Sequence, residues 1–265
     1  MTPWEVYAVK YADRNARMRK DSFIFEDNHD APHPMDYFIW VLRRGDEVLL
    51  VDTGYDHEEG KDRGRPVLMN PAEALAPLGI TTENISTIIV THLHYDHAGG
   101  LKHFPNATIH LQEAEMTYAT GPCMCHDALK HPFTAEHVCE AVKRLYSGRL
   151  VFHNGSSEVR EGILVHRIGG HSKGLQAVQV MTASGWLCLA SDASHFYENF
   201  LEEKPFPIVA DLKEMLDGFR TIQTLASSVD LVVPGHDPLV RELFPVHGPD
   251  HIVRLDNGPL KGIGV

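Results

Sequence analysis

The segment Thr91-His92-Leu93-His94-Tyr95-Asp96-His97-Ala98-Gly99-Gly100 places three imidazoles and a carboxylate within six positions, directly after an apolar run. Histidine is the commonest metal ligand, and nitrogen and oxygen donors of this kind suit zinc, and also iron, cobalt or manganese. Burying so many polar groups together is costly unless one partner satisfies them all. A tight turn after a strand would aim several of these side chains at one place. The chain holds 18 histidines in 265 residues, so their placement decides the reading. Three later residues sit in similar contexts: His171 in Gly169-Gly170-His171-Ser172, Asp192 in Ser191-Asp192-Ala193, and His236 in Pro234-Gly235-His236-Asp237. Each follows a predicted strand, beside small residues that let the backbone turn sharply, and strand-end loops are where sites are commonly built.

The elements that must position these residues are read from periodicity and turn chemistry. Residues 37–42 and 47–51 form apolar runs separated by Arg43-Arg44-Gly45-Asp46, a hairpin signal. A turn follows at Asp52-Thr53-Gly54, and the charged, glycine-containing stretch 57–65 reads as a loop. A short helix is expected over 71–78, ended by Gly79. Strands are expected at 87–91 and 107–111, a helix from about Gln112, and irregular chain at 121–132. A helix over 134–146 has Thr134 as its N-cap and Gly148 as its stop. Strands return at 150–153, 163–168, 177–182 and 186–190, followed by a helix over 210–227 and a strand at 231–233. These elements make two similar halves with a helical insertion around 113–147, and one domain over 1–265 is the expected organisation.

Composition excludes several classes. Lys plus Arg number 24 against 36 Asp plus Glu, a net charge of −12, opposite to the balance that supplies nucleic-acid affinity. No run approaches the roughly 20 apolar residues of a membrane span. The start, Met1-Thr2-Pro3-Trp4-Glu5, lacks a secretory pattern, and four cysteines do not make a disulfide scaffold. A cytoplasmic protein without nucleic-acid or membrane partners is the expectation, with a homodimer as an open possibility.

The motif His-x-His-x-Asp-His, followed in order by His171, Asp192 and His236, resembles that of metallo-β-lactamase-fold hydrolases, and Asp52 in Val51-Asp52-Thr53-Gly54 matches an early aspartate of that superfamily. The resemblance spans Asp52 to His236. It implies an α/β fold of the αββα sandwich type, two mixed β-sheets flanked by helices, with a dinuclear site at one edge. Carried over by position, His92, His94 and His171 bind one metal, Asp96, His97 and His236 the other, and Asp192 bridges them. The implied cofactors are two Zn2+ per chain, with Fe, Co or Mn possible. Asp52 either orients ligands and the bridging water or is a turn residue alone. Two divalent ions sharing a water supply hydroxide near neutral pH, and Asp96 could also shuttle a proton to the leaving group.

Within the superfamily the chain most resembles the N-acyl homoserine lactonase group, through its length, the stretch Leu49-Leu50-Val51-Asp52-Thr53-Gly54-Tyr55-Asp56, the His-x-His-Tyr-Asp-His form and Ser191-Asp192-Ala193-Ser194. The implied activity is opening of a lactone ring, that of N-acyl homoserine lactones, by a metal-bridging hydroxide; such enzymes quench quorum sensing. Tyr95 takes the aromatic position that contacts substrate. Characterised members often have tyrosine three residues after the bridging aspartate, where this chain has His195. His195 either donates its N–H to the substrate carbonyl, yields that part to Tyr197, or fills space. Phe196, Tyr197 and Phe200 are candidates for lining the pocket. The alternative is a thioester or other carboxylic-ester hydrolase of the glyoxalase II type, which shares all seven ligands. A third reading is a non-hydrolytic iron redox or sensor module, although such relatives tend to have glutamate where this chain keeps His94.

Two further features stay open. Cys123-Met124-Cys125-His126 offers metal donors but no second cysteine pair; with Met116, Tyr118 and Phe133 the insertion either covers the pocket with apolar surface for an acyl chain, packs in the core, or makes a dimer contact. The basic cluster Arg14, Arg17, Arg19 and Lys20 either meets an acidic partner or is solvated.

Overall fold

Tyr37, Ile39 and Val41 alternate with Phe38, Trp40 and Leu42 along one strand, and all six are buried. Side chains on a strand alternate between faces, so a strand buried throughout has a packing partner on each side. The computed structural model describes residues 2–25 and 28–263. In it the strands are β1 (Glu5–Arg14), β2 (Met35–Arg44), β3 (Glu47–Val51), β4 (Thr87–Ile89), β5 (Thr108–Gln112), β6 (Leu150–His153), β7 (Ser156–Arg160), β8 (Ile163–Arg167), β9 (Gln176–Thr182), β10 (Gly185–Ser191), β11 (Val232–Pro234) and β12 (Ile252–Arg254). The helices are α1 (His57–Asp62), α2 (Pro71–Ala74), α3 (Tyr95–Ala98), α4 (Glu113–Ala119), α5 (Asp127–Lys130), α6 (Ala135–Tyr146), α7 (Tyr197–Leu201), α8 (Leu212–Leu225) and α9 (Leu239–Leu243).

One sheet runs β12-β1-β2-β3-β4-β5-β6 and the other β11-β10-β9-β8-β7. Both are mixed: β3, β4, β5 and β6 pair in parallel, as do β10 and β11, while the remaining pairings are antiparallel. Val6, Phe38, Trp40 and Leu49 from the first sheet share a core with Val165, Val178, Val180 and Leu189 from the second. Tyr7, Val9, Ile39, Val41, Leu50 and Ile88, on the other face of the first sheet, pack with Leu75, Val138 and Ala141 of the outer helical layer. Helix α6 lies against β5 and β6, and α8 against β10. The result is an α/β sandwich of two mixed sheets flanked by helices.

The expected strands and the helices over 134–146 and 210–227 are present, with shifts of a few residues at their ends, while the helix expected over 71–78 divides into α2 and a 3-10 turn at Ala76–Leu78. The stretch 57–65, expected as a loop, contains α1 instead. Its N-cap Asp56 accepts the Glu59 N–H at 3.1 Å, and Gly60, which argued against a helix, is needed for space: a Cβ there would lie 2.7 Å from the Arg65 carbonyl oxygen. Residues 121–132 are not wholly irregular, because α5 and a 3-10 turn at Pro122–Cys125 occur there. Thr134 stands at the N-cap of α6 without a side-chain capping bond; its hydroxyl donates to Glu59 Oε1 at 2.6 Å and accepts from Arg63 Nη2 at 2.8 Å, tying α6 to α1. Strands β1, β7 and β12 were not anticipated. Among the described residues no helix is long and apolar enough to cross a membrane.

Candidate metal centre

The His/Asp segment occupies the connection from β4 into α3. Two close approaches force its glycines: a Cβ at Gly99 would lie 2.4 Å from the Tyr95 carbonyl oxygen, and one at Gly100 2.3 Å from that of Thr53. The turn after β3 clamps the segment from one side. Thr53 donates to the His97 carbonyl through its N–H (2.8 Å) and its hydroxyl (2.9 Å), and Gly100 N–H donates to Gly54. Asp52 in that turn has φ of 63° and Ser191, beside Asp192, has φ of 47°, left-handed conformations that non-glycine residues rarely hold outside constrained sites.

Nitrogen atoms of His92, His94 and His171 lie within 4.8 Å of one another, and so do ligand atoms of Asp96, His97 and His236. Asp192 stands between the two groups. Its Oδ2 is 3.2 Å from His171 Nε2 and 3.8 Å from His92 Nε2, while its Oδ1 is 3.3 Å from His97 Nε2 and 3.0 Å from His236 Nε2. All seven residues are buried. His92 Nε2, His97 Nε2, both ring nitrogens of His171, and Asp192 Oδ1 have no hydrogen-bond partner. So many orphaned polar atoms in one buried cluster are what a set of metal ligands presents without its cations, and the residues therefore fit two divalent ions.

The ring orientations fit the same use. His236 Nδ1 lies 2.9 Å from the Asp36 carbonyl oxygen; a carbonyl only accepts, so Nδ1 carries the proton and Nε2 keeps its lone pair. Asp52 accepts from the Thr91 N–H (2.7 Å), the Thr91 hydroxyl (2.8 Å) and His97 Nδ1 (2.7 Å). Thr91, its one hydroxyl proton so used, accepts from His92 Nδ1 at 3.1 Å. Burial and the adjacent imidazoles push His92 and His94 well below the usual histidine range, which favours the neutral form that a metal ligand requires. Burial acts likewise on His97, but Asp192, Asp52 and Asp96 outweigh it and hold that ring well above the usual range in the absence of cations. Burial opposes ionisation of Asp192, yet the surrounding histidines hold it well below the usual carboxylate range.

Tyr95 lines the cleft over this cluster, together with His195, Tyr37 and Pro132. Its hydroxyl is 3.2 Å from that of Tyr37 and accepts a hydrogen bond from Arg65 Nη1. His195 reaches the cluster, with Nε2 3.0 Å from Asp192 Oδ2 and its ring stacked 3.9 Å from that of Phe206. Burial pushes this imidazole down to about 3 against the pull of Asp192. The structure does not bring Phe196, Tyr197 or Phe200 to the cleft. Tyr197 and Phe200 pack in the inter-sheet core, and Phe196 packs against Phe23 and His33. The backbone turns into α7 immediately after His195, which sends these rings inward. Among the described residues no metal-competent group includes Cys123, Cys125 or His126. Tyr118, Ala128 and Leu129 of the insertion line a recess beside His94 and His171, while Met116 packs in the core.

Several contributing residues were not legible in the sequence. Glu115, fully buried on α4, accepts from Leu93 N–H (2.9 Å), Ser172 hydroxyl (2.7 Å) and Gly174 N–H (2.9 Å). Asp36 orients His236 and is itself held by Lys10 and Arg241. Tyr37 adjoins Asp36 on β2, and nothing in its strand pattern distinguishes it from core.

Two facing mixed sheets between helices, with a buried His/Asp cluster on loops at their edge, define a metallo-hydrolase architecture. The family model described as the metallo-beta-lactamase superfamily matches residues 34–236. An N-acyl homoserine lactonase of Bacillus cereus is 33% identical over 213 residues, 75% of this chain and 80% of its own. A solved N-acyl homoserine lactone hydrolase, with N-hexanoyl-L-homoserine bound at its catalytic metal centre, superposes with a TM-score of 0.75 at 22% identity over 91% of this chain and 96% of its own. The dizinc quorum-quenching lactonase AidC gives a TM-score of 0.68 at 17% identity, covering 90% of this chain and 89% of its own. The chain belongs to the metallo-beta-lactamase superfamily, and within it resembles the N-acyl homoserine lactonase group.

Proposed function

We propose that the protein hydrolyses the ring ester of a lactone, with N-acyl homoserine lactones as the first candidates, at a dinuclear centre held by His92, His94 and His171 on one side and Asp96, His97 and His236 on the other. The observation that carries this reading is the attitude of Asp192, which turns one oxygen to each histidine group. A bridging carboxylate needs that arrangement, and a single-metal site does not. Two bound divalent cations supply an acidified water and polarise the ester carbonyl.

The protein's own groups do the rest. Asp52 fixes His97, Thr91 fixes His92 and the Asp36 carbonyl fixes His236, so the ligand lone pairs are aimed before any cation arrives. Asp96, at the wall of the cleft, carries the released proton to the departing ring oxygen. His195 spends its Nε2–H on Asp192, which makes it a positioning residue; the hydroxyl of Tyr95, already accepting from Arg65, keeps a proton for the substrate carbonyl. The recess lined by Tyr118, Ala128 and Leu129 suits an apolar acyl chain beside the cluster. The similarity to lactonases supports the same substrate class.

The test is proton release at neutral pH from zinc-loaded protein with acyl homoserine lactones of graded chain length. Rapid acid production, abolished by chelation, is expected. No acid release with two metals bound would overturn the homoserine lactone assignment.

A further inference from the structure

The cleft has a second chemical character that opening a neutral acyl lactone does not use. Arg14, at the end of β1, Arg17, just beyond it, and Arg65, in the turn after α1, all line the same cavity as His94, Asp96, Asp192 and His236. Arg17 is only 6% exposed. Its Nη2 donates to the Asp21 carbonyl, its Nη1 lies 3.2 Å from Met35 Sδ, and its Nε has no partner. A guanidinium has five donors and cannot shed its charge, so burying one without a carboxylate is costly. The Arg14 side chain makes no hydrogen bond or ion pair with any described residue. Arg65 donates to the Tyr95 hydroxyl and sits 5.0 Å from the centre of that ring.

The rest of the same basic cluster is differently placed. Arg19 pairs with Glu198 and Lys20 with Asp30. Within that cluster Arg14 and Arg17, which reach the cleft, lack carboxylate partners among the described residues, and so does Arg65 opposite them. Asp21, the one carboxylate lining the cleft outside the ligand set, is exposed, and its Oδ2 accepts from the Met18 N–H at 3.0 Å. Burial and the charges of Arg14 and Arg65 hold the Arg17 guanidinium below its ordinary range, against the pull of Tyr37 and Asp21. Two divalent cations in the ligand cluster would more than offset Asp52, Asp96 and Asp192. The cleft is then a partly desolvated basin of positive charge with unused planar donors.

We infer that Arg14, Arg17 and Arg65 form an anion-binding subsite beside the ligand cluster, and that the natural substrate carries a carboxylate away from the bond that is cut. The guanidinium fork matches a carboxylate in two-point contact, and the exclusion of water strengthens each bond. This rests on the lactone or ester reading only for the scissile bond; the subsite itself stands on the arginines.

The experiment compares pairs of acids that differ by a carboxylate in place of a methyl group, succinate against butyrate and glutarate against valerate, by calorimetric binding to the zinc-loaded protein. A hydrogen-bonded charge pair of this kind gives a preference of about tenfold or more for at least one dicarboxylate. Arg14→Gln and Arg65→Gln, at half-buried positions that the fold tolerates more readily than Arg17, should each shrink that ratio, with thermal melting confirming that both variants are folded. No dicarboxylate preference, or one that survives both substitutions because it belongs to the cations alone, overturns the inference. A second arm compares KM for N-succinyl and N-butanoyl homoserine lactone. If neither lactone is opened while the arginine-dependent binding ratio holds, the homoserine lactone assignment fails and the subsite stands; if both are opened with equal KM and no binding ratio appears, the subsite fails alone.

Discussion

Glu115 and Ser172, 57 residues apart, are joined by a 2.7 Å hydrogen bond beside the buried His/Asp cluster, although neither belongs to it. Through the same carboxylate Glu115 holds the N–H of Leu93, between His92 and His94, and that of Gly174, beyond His171. One buried side chain therefore sets the spacing of the loops that bear all three histidines of one ligand group. At Gly174 the approach is so close that a Cβ would lie 2.1 Å from the Glu115 nitrogen.

Glu115→Gln tests that role. An amide presents a donor where the carboxylate accepted, leaving a buried N–H or O–H unpaired. The expected loss is roughly 1–3 kcal/mol of folding stability and about 10- to 100-fold in metal affinity. Urea unfolding and competitive metal titration measure the two quantities, and no change in either would remove Glu115 from the positioning of the site.

Removal of the bridging carboxylate should change stoichiometry. Fully loaded wild-type protein is expected to bind two metals per chain, while Asp192→Ala retains fewer, since both groups lose a shared ligand. Elemental analysis after gel filtration reads the difference, and a reproducible single metal in wild type would contradict the dinuclear centre. Chelation should lower the melting temperature, because a cation that binds only the folded state stabilises it.

Asp96→Asn separates proton transfer from metal binding. With both metals shown to remain, turnover should fall by about 100-fold or more, the scale of a lost general acid. Near-normal turnover in a fully loaded variant would take Asp96 out of the chemistry.

Acid stability should depend on a histidine pair that does not line the cleft. His110 Nδ1 on β5 and His153 Nε2 on β6 are 2.9 Å apart with stacked rings. Burial, reinforced by His153 and Arg160, pushes His110 down to about 4, and burial lowers His153 as well. The unfolded chain then binds protons that the folded one refuses, so stability falls as pH drops from about 6.5 toward 4. The loss from His110 is roughly 2 kcal/mol by pH 5. Urea unfolding of chelated wild type and His110→Gln at pH 7.5 and pH 5 should show a steeper loss in wild type, and parallel losses would refute the assignment.

The identities of the seven candidate ligand residues were legible because they lie in short contiguous strings at strand ends, where local backbone alone makes the turn. Their grouping around one point was read from resemblance, and the tertiary structure brings them together as the strand ends converge. The apolar runs at 37–42 and 47–51 were equally plain, since burial on both faces leaves little room for polar residues. Strand β1 was harder to see: Lys10 interrupts its pattern, buried only because Asp13 and Asp36 pair with it. Helix α1 escaped notice because its glycine is required by a contact outside the helix.

What sequence by itself determined is the chemistry of the donors and the sheets that carry them, properties encoded within a few residues of each other. The surroundings of that chemistry were decided only in the folded chain. Arg14 and Arg17 read as members of a surface basic cluster until β1 placed them beside Arg65 over the ligands. Phe196 and Tyr197 read as pocket residues until the entry into α7 buried them, Tyr197 between the sheets and Phe196 against Phe23 and His33. Glu115 and Asp36 carry no local signal at all. Their partners lie 22 to 205 residues away, and a hydrogen bond across that separation is a property of packing, which no window of sequence contains.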